Sequence, residues 1–145
     1  MKKGIIRPLV ICIFSNQDYI LVAEGYDNLK NQFYYRPIGG GIEYGELSSQ
    51  ALIREVNEEI GQEINNLKYL GTIENIFTYN GDIGHEIVMV YDAEFVDGLV
   101  YRTNSFLGIE NDGTTFKLFW KTLSEFEKGE LKLVPENLMT LIREK

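Results

Sequence analysis

Glu55, Glu58 and Glu59 are the residues of this chain with the clearest capacity for chemistry. On a helical wheel of about 100° per residue measured from Ala51, they fall at about 40°, 340° and 80°, a single acidic face. Such clustering opposes helix stability. Glu55 and Glu59 form a like-charge i,i+4 pair, which costs a few tenths of a kcal/mol. All three lie in the C-terminal half of the helix, where the macrodipole disfavours negative charge. Arg54 offsets part of this by pairing with Glu58 four residues on. Convergent carboxylates are what a hard divalent cation such as Mg2+ or Mn2+ takes as ligands. A solvated acidic face on an ordinary amphipathic helix fits the same wheel, and the wheel alone does not separate the two.

The helix that carries these acids is predicted to start near Leu47 or Ser48 and to run to Ile60, with Gly61 as its stop. Leu52, Ile53, Val56 and Ile60 fall between about 100° and 200° and predict an apolar face buried against a sheet. Upstream, the apolar runs 5–14 and 19–24 flank the turn-forming Ser15-Asn16-Gln17-Asp18, which predicts a strand pair. Residues 33–38 read as a short extended piece, with Pro37 suited to a strand end. Gly39-Gly40-Gly41 then reads as a loop where backbone can approach a ligand closely.

Downstream, residues 67–79 and 83–96 are rich in β-branched and aromatic types. Asn80-Gly81 between them is a strong hairpin signal. Residues 115–123 predict a further strand, and Pro135 predicts the opening of a last helix over 135–143. Residues 97–114 read as the least structured part. The sum is one α/β or α+β domain over residues 1–145, a sheet flanked by two helices.

Composition narrows the class. A chain of 145 residues can bury a core of its own. Its 44% hydrophobic and 25% charged residues are globular rather than disordered proportions. The net charge of -8 disfavours binding to long nucleic acid. It leaves room for a small phosphorylated substrate, because a bound divalent metal reverses the local field. Cys12, the sole cysteine, excludes an intrachain disulfide and sits in an apolar run as a buried small side chain. The N-terminal apolar stretch is interrupted by Arg7 and Pro8 and has no small-residue cleavage site, so it reads as a strand rather than a signal peptide. No stretch reaches the ~18 apolar residues of a membrane span. A cytoplasmic location with no membrane partner is expected.

The residues around the acidic helix decide between metal site and solvated face. Gly40 is followed after five residues by Glu46, and Glu46 after seven residues by Arg54-Glu55-Val56-Asn57-Glu58-Glu59-Ile60-Gly61. This pattern resembles the Nudix box, a loop-helix-loop signature with those residue types at those spacings. By chance it would arise on the order of once in a million chains of this length. The final position of the box, usually aliphatic, is Gln62 here, past the helix and outside the metal chemistry.

The resemblance implies the Nudix fold, a mixed sheet sandwiched between helices. It also implies metal-dependent hydrolysis of a diphosphate bond in a nucleoside diphosphate linked to another group. Position by position, it makes Glu55, Glu58 and Glu59 metal-binding and catalytic carboxylates, with Glu55 also a candidate general base. It makes Arg54 the residue that orients a catalytic glutamate, Glu46 a support of the loop, and Gly40 a glycine whose carbonyl can ligate metal. Mg2+ or Mn2+ is the implied cofactor, lowering the pKa of a bound water and screening the substrate phosphates. Members often recruit one more acid from outside the box; Glu110 and Asp112 are the candidates. They also often form dimers, so a homodimer is an allowed partner state.

The box does not name the substrate. Arg36, just before Pro37 and the glycines, is placed to reach a phosphate. Tyr79 lies 17 residues past Gln62, an offset that resembles the diadenosine-polyphosphate subgroup. The ADP-ribose subgroup tends to carry proline nearby, where this chain has Phe77 or Thr78. His85, the sole histidine, is a candidate contact to base or phosphate. Two other functions compete with the hydrolase. A non-catalytic Nudix-fold nucleotide-binding or sensor module would usually have lost box carboxylates, and all are present. An RNA 5′-end pyrophosphohydrolase is disfavoured by the acidic charge and the absence of a Lys/Arg run.

Overall fold

Residues 4–145 are described by a computed structural model of the chain; the sequence reading of Met1-Lys2-Lys3 lies outside them. Strand β1 (Ile6–Cys12) holds the centre. Leu9 and Ile11, with Ile13 just beyond the strand, pack into one core, and Val10 and Cys12, with Phe14, into another. A run that is apolar on both faces needs neighbours on both edges and cover on both sides. Accordingly β1 pairs antiparallel with β5 (Ile38–Gly41) and parallel with β7 (Asp82–Phe95). Strand β6 (Ile64–Tyr79) completes this mixed sheet in the order β5-β1-β7-β6.

A second, antiparallel sheet lies alongside. Its centre is β3 (Tyr19–Asp27), paired with β2 (Ser15–Asn16), β4 (Gln32–Arg36) and β9 (Thr115–Thr122). Strand β8 (Ser105–Ile109) adds to β9. Helix α1 (Ser48–Ile60) covers one face of the mixed sheet with Ala51, Leu52 and Val56. Helices α2 (Leu123–Glu127) and α3 (Leu138–Arg143) cover the other with Phe126, Leu138 and Ile142. The mixed sheet between helices is thus as expected. Among the described residues no helix is long and apolar enough to cross a membrane.

Local signals set several boundaries. Gln50 accepts a hydrogen bond from the Leu47 backbone at 2.9 Å at the start of α1, and Gly61 closes it in the left-handed conformation. Asn80 and Gly81 both take positive φ, 49° and 85°, the signature of a tight primed hairpin turn.

Five expectations are corrected. Runs 5–14 and 19–24 do not form the expected strand pair: β1 and β3 belong to different sheets, and the turn back on β3 is made by the short β2 and a single bond from the Leu21 amide to the Phe14 carbonyl. Gly39-Gly40-Gly41 is not a loop but the bulk of β5, in register with Ile11, Val10 and Leu9; a Cβ at Gly39 would overlap the Val10 backbone, so the close approach is between strands. Segment 97–114 contains a short 3-10 helix (Gly98–Arg102) and β8. The last helix starts at Leu138, three residues beyond Pro135, because Asn137 is held in the left-handed region and interrupts helical backbone. Finally, Ile53 is 47% exposed, whereas Glu55 and Glu59 are only 8% and 9% exposed. The buried arc of α1 runs from Ala51 to Val56 on the wheel, and the two acids sit inside it.

Candidate active site

The N-terminal approach to α1 is organised by one side chain. Arg54 Nε donates to Glu46 Oε2 at 2.8 Å, and its Nη2 donates to Glu46 Oε1 and to the Gly41 carbonyl, both at 2.9 Å. Its Nη1 donates to Glu55 Oε1 at 2.9 Å and to Glu58 Oε2 at 3.3 Å. The planar fork thereby ties the box loop to two of the three helix acids. The Glu46 carboxyl is pulled down to about 2, first by Arg54 and then by the Glu43 backbone. The Arg54 guanidinium is raised beyond its already high value, chiefly by Glu46.

The helix acids occupy distinct environments. Glu58 is half exposed. Glu55 lies under Gly40 on β5, so close that a Cβ at Gly40 would overlap its carboxylate. Glu59 Oε1 is buried and has no hydrogen-bond partner among the described residues. Burial, then the charges of Glu110 and Glu55, push the Glu59 carboxyl up to about 9. Without a cation, burial beside these two acids favours the protonated form of Glu59.

Arg36, Gly40, Glu59 and Glu110 line one cavity of about 290 Å3. A second, of about 430 Å3, is lined by Tyr34, Phe77 and Tyr79 together with Lys30, Lys132 and Glu86. Arg7, Tyr34 and Arg36 line both, so the two form one cleft joined at an arginine pair. Neither arginine makes an ion pair or hydrogen bond among the described residues. In a chain of net charge -8, these are two guanidiniums with hydrogen-bond donors to spare at the junction of two cavities, Arg36 lying within the electrostatic reach of Glu59 and Glu110.

The expected residues separate on this geometry. Arg54, Glu55, Glu58 and Glu46 form one hydrogen-bonded group, and Gly40 and Glu59 adjoin it. Glu110 reaches the cavity beside Glu59, where burial raises its carboxyl. Asp112 instead caps its own turn by accepting from the Thr114 amide and hydroxyl. Arg36 and Tyr79 line the cleft, whereas His85 lines neither cavity. It precedes Glu86 on β7, and successive strand side chains point to opposite faces.

Sequence reasoning missed Arg7, Tyr34 and Lys132. Arg7 is a lone charge in an apolar strand, which is a usable signal. Tyr34 on β4 is paired with Gly25 on β3, where any side chain would strike its ring. Lys132 arrives on a segment that bonds to one edge of Tyr35, the Lys132 carbonyl accepting from the Tyr35 amide at 2.9 Å and the Val134 amide donating to the Tyr35 carbonyl at 2.8 Å, a pairing that no periodicity announces.

The donor set can be tested against the divalent cation that the resemblance implies. Among the described residues no three acidic, imidazole or thiolate groups stand close enough to cage a metal as the side chains are placed. The chemistry nevertheless fits. Two adjacent buried carboxylates, one with an unpartnered oxygen, are hard donors whose burial a cation would offset.

Comparison with known proteins settles the family. The NUDIX domain model matches residues 6–140. The chain belongs to the NUDIX domain family. A relative, the NAD-capped RNA hydrolase NudC of Pseudomonas aeruginosa, is 30% identical over 93 residues, 64% of this chain and 31% of that protein. The Vibrio vulnificus NudC is 36% identical over 67 residues, 46% of this chain and 25% of that protein. The Nudix chain thus spans about a third or less of the curated relatives it matches. Solved structures share the fold. The MutT NUDIX hydrolase of Burkholderia pseudomallei has a TM-score of 0.60 at 21% identity, covering 83% of this chain and 86% of that one. A NUDIX hydrolase of Nitrosomonas europaea has a TM-score of 0.60 at 19% identity, covering 96% and 87%.

Proposed function

We propose that residues 1–145 act as one Nudix domain that hydrolyses a diphosphate bond in a nucleoside diphosphate derivative, with Mg2+ or Mn2+ as cofactor. The observation that carries this reading is the cleft. Glu59 and Glu110 line one end, with Glu55 beside them against Gly40, an aromatic-walled cavity lies at the other, and Arg7 and Arg36 line both.

Glu55, Glu58 and Glu59 would hold the cation, with the Gly40 carbonyl as a further oxygen donor. When bound, the cation screens the phosphates and lowers the pKa of a coordinated water. The rest of the chemistry belongs to this chain. Arg54 fixes the Glu55 carboxylate, leaving its other oxygen to accept a proton. Arg7 and Arg36 hold the diphosphate in register with the acids. Glu110 is the candidate acid from outside the box. The Tyr34 phenol, held up at about 12 first by burial and then by Tyr79, stays protonated and can donate to a phosphate or sugar oxygen.

The curated relatives act on NAD-capped RNA, so a dinucleotide joined through a diphosphate belongs among the candidate substrates, as do nucleoside triphosphates and diadenosine polyphosphates. The substrate in this proposal is a small nucleotide in a cytoplasmic setting. The test is turnover across that panel with Mg2+ and Mn2+. Cleavage that needs the metal supports the proposal. A flat panel from folded, metal-binding protein points first to a substrate outside the panel and then to the nucleotide-binding module.

A further inference from the structure

Glu86 is a buried carboxylate that the catalytic reading does not use; Asp27, the other one among the described residues, is taken up by the backbone amides of Leu29, Lys30 and Asn80. It is 4% exposed, on β7, and lines the 430 Å3 cavity. Its hydrogen bond among the described residues is a long one, 3.4 Å from Asn75 Nδ2 to Glu86 Oε1. Arg7 is its register neighbour on β1, yet the two do not form an ion pair. An ionised carboxylate has about four acceptor positions, and leaving most of them empty in a buried wall is costly. With Asn75 Nδ2 turned to Glu86, the Asn75 carbonyl oxygen is a further acceptor on the same wall. Asn75, Phe77 and Tyr79 alternate onto one face of β6, so these acceptors sit in line with the aromatic side chains. The wall is therefore rich in acceptors where a flat ring would stack.

We propose that Glu86, supported by Asn75, is the specificity-determining residue for the base. It accepts hydrogen bonds from a heterocycle whose edge carries adjacent N–H donors, of which guanine is the common case. The inference rests on the proposed function only in taking the cavity as the nucleoside subsite. Adenine presents an acceptor at the ring nitrogen where guanine presents N–H, and so meets Glu86 with repulsion. Hypoxanthine keeps the ring N–H but lacks the exocyclic amine. Nicotinamide offers a carboxamide alone.

The test is equilibrium binding of GMP, IMP, AMP and nicotinamide mononucleotide to the full chain without metal, read by calorimetry. No turnover is involved, so an inactive enzyme and a wrong base assignment give different results. GMP is expected to bind about 10- to 100-fold more tightly than AMP, as one charge-assisted hydrogen bond gained or lost predicts, with IMP between them. Glu86→Gln, nearly isosteric, is expected to remove the GMP preference, and its circular dichroism establishes that it is folded. Equal binding of GMP and AMP by the wild-type chain, tighter binding of nicotinamide mononucleotide, no binding of any probe, or a preference unchanged in folded Glu86→Gln overturns the proposal. The wild-type comparison alone suffices if the variant does not fold.

Discussion

Gly40 on β5 lies against the carboxylate of Glu55 on α1 so closely that no Cβ fits between them. The contact joins the mixed sheet to the acidic face of the helix, and it explains why a glycine opens the box. Gly40→Ala is expected to displace Glu55, cost about 1–3 kcal/mol of stability and reduce turnover at least tenfold. Gly41→Ala, where nothing lies within 4 Å of the added carbon, is the matched comparison and should leave the melting temperature nearly unchanged. Thermal unfolding and turnover of the two variants check both points.

Arg54 carries the second prediction. Lysine cannot reproduce the paired bonds to Glu46 while also reaching Glu55 and the Gly41 carbonyl. Arg54→Lys should lose about 1–3 kcal/mol and bind metal more weakly, because Glu55 is no longer held. Denaturant unfolding and metal titration measure the two effects separately. Unchanged stability would show that the fork is not what fastens the loop.

Glu59 sets a pH dependence. Its carboxyl is raised from an ordinary 4.5 to about 9, mainly by burial. A raised folded-state pKa means that its contribution is fully present below 4.5 and is lost as pH rises towards 9. In metal-free protein, Glu59→Gln should gain stability relative to wild type across that window and little below it. Melting temperatures from pH 4 to 9 test the sign. Adding Mg2+ or Mn2+ should raise the wild-type melting temperature at neutral pH and release a proton, and should do less for the variant.

Tyr79 and Tyr34 meet edge to face at 5.9 Å in the larger cavity. If a base stacks there, Tyr79→Ala should raise KM about 5- to 100-fold, the range of one base–aromatic stack, with a smaller change in kcat. A fall in kcat at constant KM would place Tyr79 at the reacting bond instead.

Much of this arrangement was legible in residue order because its signals are local. The start near Leu47 or Ser48 and the stop at Gly61 bounded α1 to within a residue, and Asn80-Gly81 located the longest hairpin. What escaped depends on distant contacts. Ile53 was assigned to the buried face on hydropathy, yet Gly40 and the sheet edge claim the arc holding Glu55 and Glu59. A helix wheel cannot register that, because it scores charge as exposure. Gly39-Gly40-Gly41 has the composition of a loop and becomes strand because Leu9, Val10 and Ile11 supply its partner. Arg7, Tyr34 and Lys132 come from three separate segments, and only the packing of two sheets and the strap beside Tyr35 brings them to one cleft. Glu110 and Asp112 are equivalent in sequence, and only the turn around Thr114 distinguishes them.

The most direct test of the central claim is metal-dependent turnover of the nucleotide panel by wild type and Glu59→Gln. The account predicts cleavage of at least one diphosphate-linked nucleotide with Mg2+ or Mn2+, abolished by chelator and reduced at least 100-fold in a folded variant. Full activity in Glu59→Gln, or turnover indifferent to chelator, would contradict it.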